Sequence, residues 1–168
     1  MESTNLCITN NDLLNFINLQ YAVQGEKIRL HRTSGGRVYY IYCQKAWKVL
    51  KLYRPLHTEC AIQTTQVIPY LRNCGFPIVQ IIPTVTDEMY ITVDMPEGKC
   101  VGILFEFAKG TCIGFLDRWR DNKQPSIHPK TRLFCRQVGL MHRLMENYEG
   151  SIIHKNKDRY INDSATRS

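Results

Sequence analysis

Apolar and polar positions follow two rhythms along this chain. In "KIRLHRTSGGRVYYIYCQKAWKVLKLY" (27–53) the rhythm is two, the period of a strand. Ser34-Gly35-Gly36 separates the first two runs, a hairpin signal, and Gln44-Lys45-Ala46 is a weaker turn before the third. The pattern predicts three antiparallel strands in a meander. In "DLLNFINLQY" the rhythm is helical: Leu13, Phe16, Ile17 and Tyr21 share one face, with Asn10 or Asn11 as N-cap.

Further along, Thr58 is placed as the cap of a helix, "ECAIQTTQVIPYLRNCG", that Gly75 closes and Pro69 kinks. Two or three more strands follow in "FPIVQIIPTV", "EMYITVDM" and "CVGILFEFA", the last pair joined through Pro96-Glu97-Gly98. "TCIGFLDRW" reads as a short helix and "RDNKQPSIHP" as a linker. A longer helix is expected from about Pro129 to Tyr148, with Phe134, Val138, Met141, Met145 and Tyr148 in one apolar stripe. Gly150 stops it, and a polar tail begins at His154. The tally is an α+β fold: a five-stranded, mainly antiparallel sheet with one inserted helix.

Composition narrows the class. Hydrophobic residues make up 43% of the 168, enough for a core. The longest apolar runs are strand-like, too short to span a bilayer, and "MESTNLCITNND" lacks the pattern of a secretory signal. The seven cysteines stand singly, without a CxxC pair, which argues for reduced thiols and a cytoplasmic setting. The net charge of +7 permits an anionic partner. Read along the chain, the basic residues are spread out, and on charge alone a nucleic-acid surface is not the expectation.

One residue breaks the strand pattern. Lys51 shares its face of the third strand with Trp47, Val49 and Tyr53, so an ammonium is rooted among apolar side chains. Alone, that is most simply a lysine snorkelling at a strand end. The order of features around it adds a second reading. "SGGRVYYIY", "WKVLKLYRP", "LRNCGFPI", "GILFEFAKG" and "VGLMHRLMENY" together resemble the N-terminal lobe and hinge of the aminoglycoside phosphotransferase, homoserine kinase and choline kinase-like superfamily. The resemblance covers most of the chain after about residue 27.

The resemblance implies a set of roles. Lys51 meets the α- and β-phosphates of ATP, and Val49 packs on adenine. Gly35 and Gly36 cover phosphates with backbone N–H groups. In "LFEFAKG", Phe105 guards the pocket, the Glu106 carbonyl accepts from the exocyclic amine, and the Ala108 N–H donates to a ring nitrogen. Mg²⁺ accompanies the ATP, and a small-molecule hydroxyl accepts the phosphoryl group.

The pattern departs from the family in two places. The helix glutamate that partners the strand lysine is expected near position 64, which is threonine; Glu59 lies over a turn earlier, a first-turn acid that the helix dipole favours. The HGDxxxxN-like catalytic loop is absent; His154, Asp158 and Asn162 have the wrong spacing, and His142, His31, His57 and His128 form no ligand set.

No catalytic residue and no metal ligand is therefore assigned. The expected organisation is an N-terminal helical segment (1–26), a kinase-like lobe (27–108), a hinge with the first helices of the larger lobe (109–153) and a tail (154–168). A truncated, inactive lobe should bind adenine nucleotide and either self-associate or meet a separate catalytic-lobe chain. The alternative is a non-catalytic basic α+β binding or regulatory module, with nucleic acid as a candidate ligand.

Overall fold

The computed structural model describes residues 9–33, 35–109 and 129–150, with backbone alone for 129–131. The Ser34 position, the 110–128 stretch and the tail lie outside the described residues, and with them the expected short helix and linker.

Helix α1 spans Asn10–Tyr21. Its cap is Thr9, not Asn10 or Asn11. The Thr9 hydroxyl accepts from the Asp12 N–H, and the Asp12 carboxylate accepts from the Thr9 N–H, both at 3.2 Å. An acid at the third helical position completes this reciprocal box one residue earlier than the asparagines could. The Thr9 bonds also hold the Asp12 carboxyl below its ordinary pKa. Leu13, Leu14, Ile17 and Tyr21 are buried.

The sheet is five-stranded and antiparallel: β1 Gly25–Arg32, β2 Arg37–Cys43, β3 Ala46–Tyr53, β4 Ile91–Met95 and β5 Gly98–Glu106, in spatial order β1-β2-β3-β5-β4. The β2–β3 connection is a two-residue turn with Gln44 (φ 49°) and Lys45 (φ 63°) both left-handed, as the hairpin twist demands. At the β1–β2 tip, Gly36 has φ 139°, and an added Cβ would stand 2.4 Å from the Leu52 carbonyl oxygen. Only glycine fits there.

"FPIVQIIPTV" is not a regular strand. It touches β5 through one bridge, Ile81 to Phe105, with Ile82 N–H donating to Leu104 O and Glu106 N–H to Gln80 O. Pro77 and Pro83 carry no N–H, so the ladder stops on either side.

Helix α2 spans Thr58–Asn73, after a 3₁₀ turn at Pro55–His57. Thr58 is its first residue rather than its cap: the hydroxyl donates back to the Pro55 carbonyl at 2.9 Å. The helix stays helical through Pro69. It closes as foreseen at Gly75 (φ 77°), with Gly75 N–H on Arg72 O and Phe76 N–H on Leu71 O.

Helix α3 spans Pro129–Met145, three residues shorter than expected, followed by a turn. It meets α2 where the Tyr70 hydroxyl donates to the Leu144 carbonyl (2.7 Å) and the Tyr70 and Tyr148 rings sit 4.9 Å apart. Leu133 and Phe134 on its apolar side stay exposed.

Two clusters form the core, one on each face of the sheet. Helix α1 covers the face of Tyr39, Ile41, Leu50, Leu52, Val93 and Leu104. Helix α2 supplies Ala61 and Ile68 against Tyr53, Val101, Ile103 and Phe105 on the other. Burial pushes the thiols of Cys43 and Cys100 up. Among the described residues no helix is long and apolar enough to cross a membrane.

Candidate functional site

Strand register decides which predicted residues meet. Across β2, β3 and β5, Val38 faces Lys51 and Lys51 faces Ile103; one step along, Tyr40 faces Val49 and Val49 faces Phe105. Directly paired residues project to the same side of a sheet. Lys51, Val49 and Phe105 therefore share one face, the face that α2 packs against.

Lys51 is half-buried between the buried Leu50 and Leu52 on its own strand. Its amine lies 4.1 Å from the centre of the Tyr53 ring, a cation–π contact that keeps it along the sheet. Tyr53 is itself buried against α2.

The residues expected to form the hinge sit at the other end of β3. The Glu106 N–H donates to the Gln80 carbonyl at 2.9 Å. Its carboxylate accepts twice from the Lys48 amine, at 2.5 and 2.6 Å, on the face opposite Lys51. Arg72 of α2 braces the same segment through the Ile78 carbonyl and the Gln80 side chain. Glu106 is thus fixed at main chain and side chain. Ala108 lies just past β5 and is exposed.

Gly36 abuts Leu52 at the Tyr53 end. The candidate set is strung along β3, glycine tip at one end and hinge at the other, about 17 Å apart at 3.4 Å per residue.

The partner position on α2 carries no charge. The Thr64 hydroxyl donates to the Cys60 carbonyl at 2.7 Å, and Glu59 stands in the helix's first turn. Among the described residues no cluster of three metal-ligating side chains forms. His142 is exposed on α3, and His128, His154, Asp158 and Asn162 lie outside the described residues.

Sequence reasoning missed Val38, Tyr40 and Ile103, which complete the wall around Val49 and Lys51. A signal existed. A two-residue turn at 44–45 pairs Cys43 with Ala46, and counting outward gives both Val38–Lys51 and Tyr40–Val49. It also missed Phe107, whose ring meets Tyr40 edge-on at 5.7 Å.

No protein-family model matches this sequence, and no curated protein matches it. Solved structures do. An amicoumacin kinase in complex with AMP-PNP, Ca²⁺ and Ami aligns with a TM-score of 0.66 at 16% identity, covering 84% of this chain and 41% of that one. A spectinomycin phosphotransferase in complex with ADP and spectinomycin aligns with a TM-score of 0.50 at 15% identity, covering 60% and 30%. The chain has the fold of the smaller lobe of these kinase-like phosphotransferases and spans well under half of their length.

Proposed function

We propose that this chain is the nucleotide-binding lobe of a kinase-like phosphotransferase acting on a hydroxyl of a small molecule. The position of Lys51 carries the reading. A cation held against a ring, on an apolar face between Val38 and Ile103, supports a phosphate-binding role over free solvation.

On this reading the adenine lies against Val49, with Val38, Tyr40 and Phe105 beside it. The Glu106 carbonyl and Ala108 N–H bond the base edge, and Gly35 and Gly36 sit over the phosphates. Lys48 and Gln80 hold the hinge residue in place for that task. The structural neighbours solved with ADP and AMP-PNP support nucleotide as the ligand class. Mg²⁺ would arrive with the phosphates and compensate their charge.

Phosphoryl transfer needs a positioned base and metal ligands. This chain contains no HGDxxxxN-like loop to supply them, so the lobe alone binds without turnover. Calorimetric titration with ATP and Mg²⁺ tests the reading. Saturable binding that Lys51→Ala weakens at least about tenfold supports it. Equal binding by that variant, or ATP hydrolysis above background by the purified chain, overturns it.

A further inference from the structure

Folding concentrates the charge that the linear sequence spreads out. Between positions 25 and 53 there are seven Lys and Arg residues and one carboxylate, Glu26: a local balance of +6 in a chain of +7. These residues are the β1–β2–β3 meander.

The register sorts them by face. Lys27 pairs with Tyr42, Arg29 with Tyr40, and Arg32 with Val38, so all three cations project to the Lys51 side. His31, the extra residue at the irregular step before Arg32, stacks on Tyr40 at 4.5 Å. No residue of β2 or β3 is acidic, and Glu26 falls in the other irregular step, between Gly25 and Lys27. On the opposite face, Arg37 and Lys48 are engaged by Glu97 and Glu106.

The same face is aromatic. Tyr42 and Trp47 lie 5.1 Å apart, Trp47 and Tyr40 6.3 Å, and Tyr40 and Phe107 5.7 Å, forming one continuous row. Arg29 sits over the Tyr40 ring at 5.7 Å. Trp47 is 38% exposed and Phe107 43%. Charges on β1 would suffice to blunt a sheet edge. They do not explain why the rings beside them are left open to water.

A row of rings flanked by a strip of cations is the arrangement that holds unstacked bases and their phosphates together. We infer that this face is a docking surface for single-stranded nucleic acid, with bases stacking on Trp47, Tyr42 and Phe107 and the backbone tracking Lys27, Arg29 and Arg32. A duplex hides its bases from such rings. The surface shares its face and Tyr40 with the nucleotide site proposed above, but it rests on Trp47, Phe107 and the β1 cations rather than on Lys51, and it stands whether or not the lobe binds ATP.

Fluorescence anisotropy of a short labelled single strand on the full chain, between about 50 and 200 mM salt, tests it. The expected log–log salt slope is about −2 to −3, since each cation contributes about 0.7 on a single strand. Trp47→Ala should weaken binding about tenfold, with Trp47→Phe restoring most of it. Replacing Arg29 and Arg32 together by alanine should flatten the slope by about 1.4. All these positions are exposed, and circular dichroism checks that each variant keeps its sheet.

Four results would overturn the inference: no binding at low salt, equal affinity for the duplex, full competition by a polyanion without bases, or an unchanged Trp47→Ala. Displacement of the strand from Lys51→Ala by ATP at equal phosphate concentration would also count against it, because the face would then be a mononucleotide site. Lys51→Ala separates the two readings: it should weaken ATP binding at least about tenfold and cost the single strand little.

Discussion

The two faces of the sheet are finished differently. On the α1 side, Ile17, Ile41, Leu50 and Leu104 are fully buried, and the polar ends that reach this layer find partners: the Tyr21 hydroxyl donates to the Gly102 carbonyl. On the α2 side, burial is complete only near β5 and the end of β3. The rest is a half-open wall of rings and cations. One side is built for stability, and the other gives up apolar burial to keep groups available. That contrast, more than any single motif, marks the side on which the proposed site lies.

The sharpest way to break the contrast is at the centre of the sealed side. Leu104→Ala should cost about 3–4 kcal/mol in urea unfolding, through lost burial and a cavity that close packing cannot refill. Gly36→Ala attacks the hairpin tip that frames the open side. Its Cβ would collide with the Leu52 carbonyl, so about 2 kcal/mol should be lost, visible as a lower denaturation midpoint. Lys51→Ala acts on the open side alone. Unfolding should move by no more than about 1 kcal/mol, the worth of a half-buried cation–π contact, while ATP affinity falls about tenfold. The smallest effect is a gain: Lys45→Gly relieves a left-handed lysine in the β2–β3 turn and should add about 0.5–1 kcal/mol. A Leu104→Ala protein as stable as the parent, or a Lys51→Ala protein that unfolds readily, would erase the difference between the faces.

Much of this was legible beforehand. Period-two alternation is local, so all three meander strands, β4 and β5 could be read, and Gly75 marked the end of α2. What escaped depended on partners distant in sequence. The Pro-flanked segment at 76–84 looks like a strand by composition, yet it pairs with β5 at a single point. Thr9 outranks two asparagines as a cap because of an acid three residues on. The basic face was invisible along the chain because Lys27, Arg29 and Arg32 become neighbours of Tyr42, Tyr40 and Val38 only once register is known. Lys51 drew notice along the sequence because an ammonium in an apolar strand violates a local rule.

The tie between Tyr21 and Gly102 spans 81 positions. A ribosome adding about 5–20 residues per second finishes α1 on the order of ten seconds before the strand that receives it. During that interval Leu13, Ile17 and Tyr21 have only part of their wall: Tyr39, Ile41, Leu50 and Leu52 are made, and Leu104 is still to come. The layer under α1 is thus complete only after β5 has been made, because Leu104 and the carbonyl that receives Tyr21 both belong to that strand.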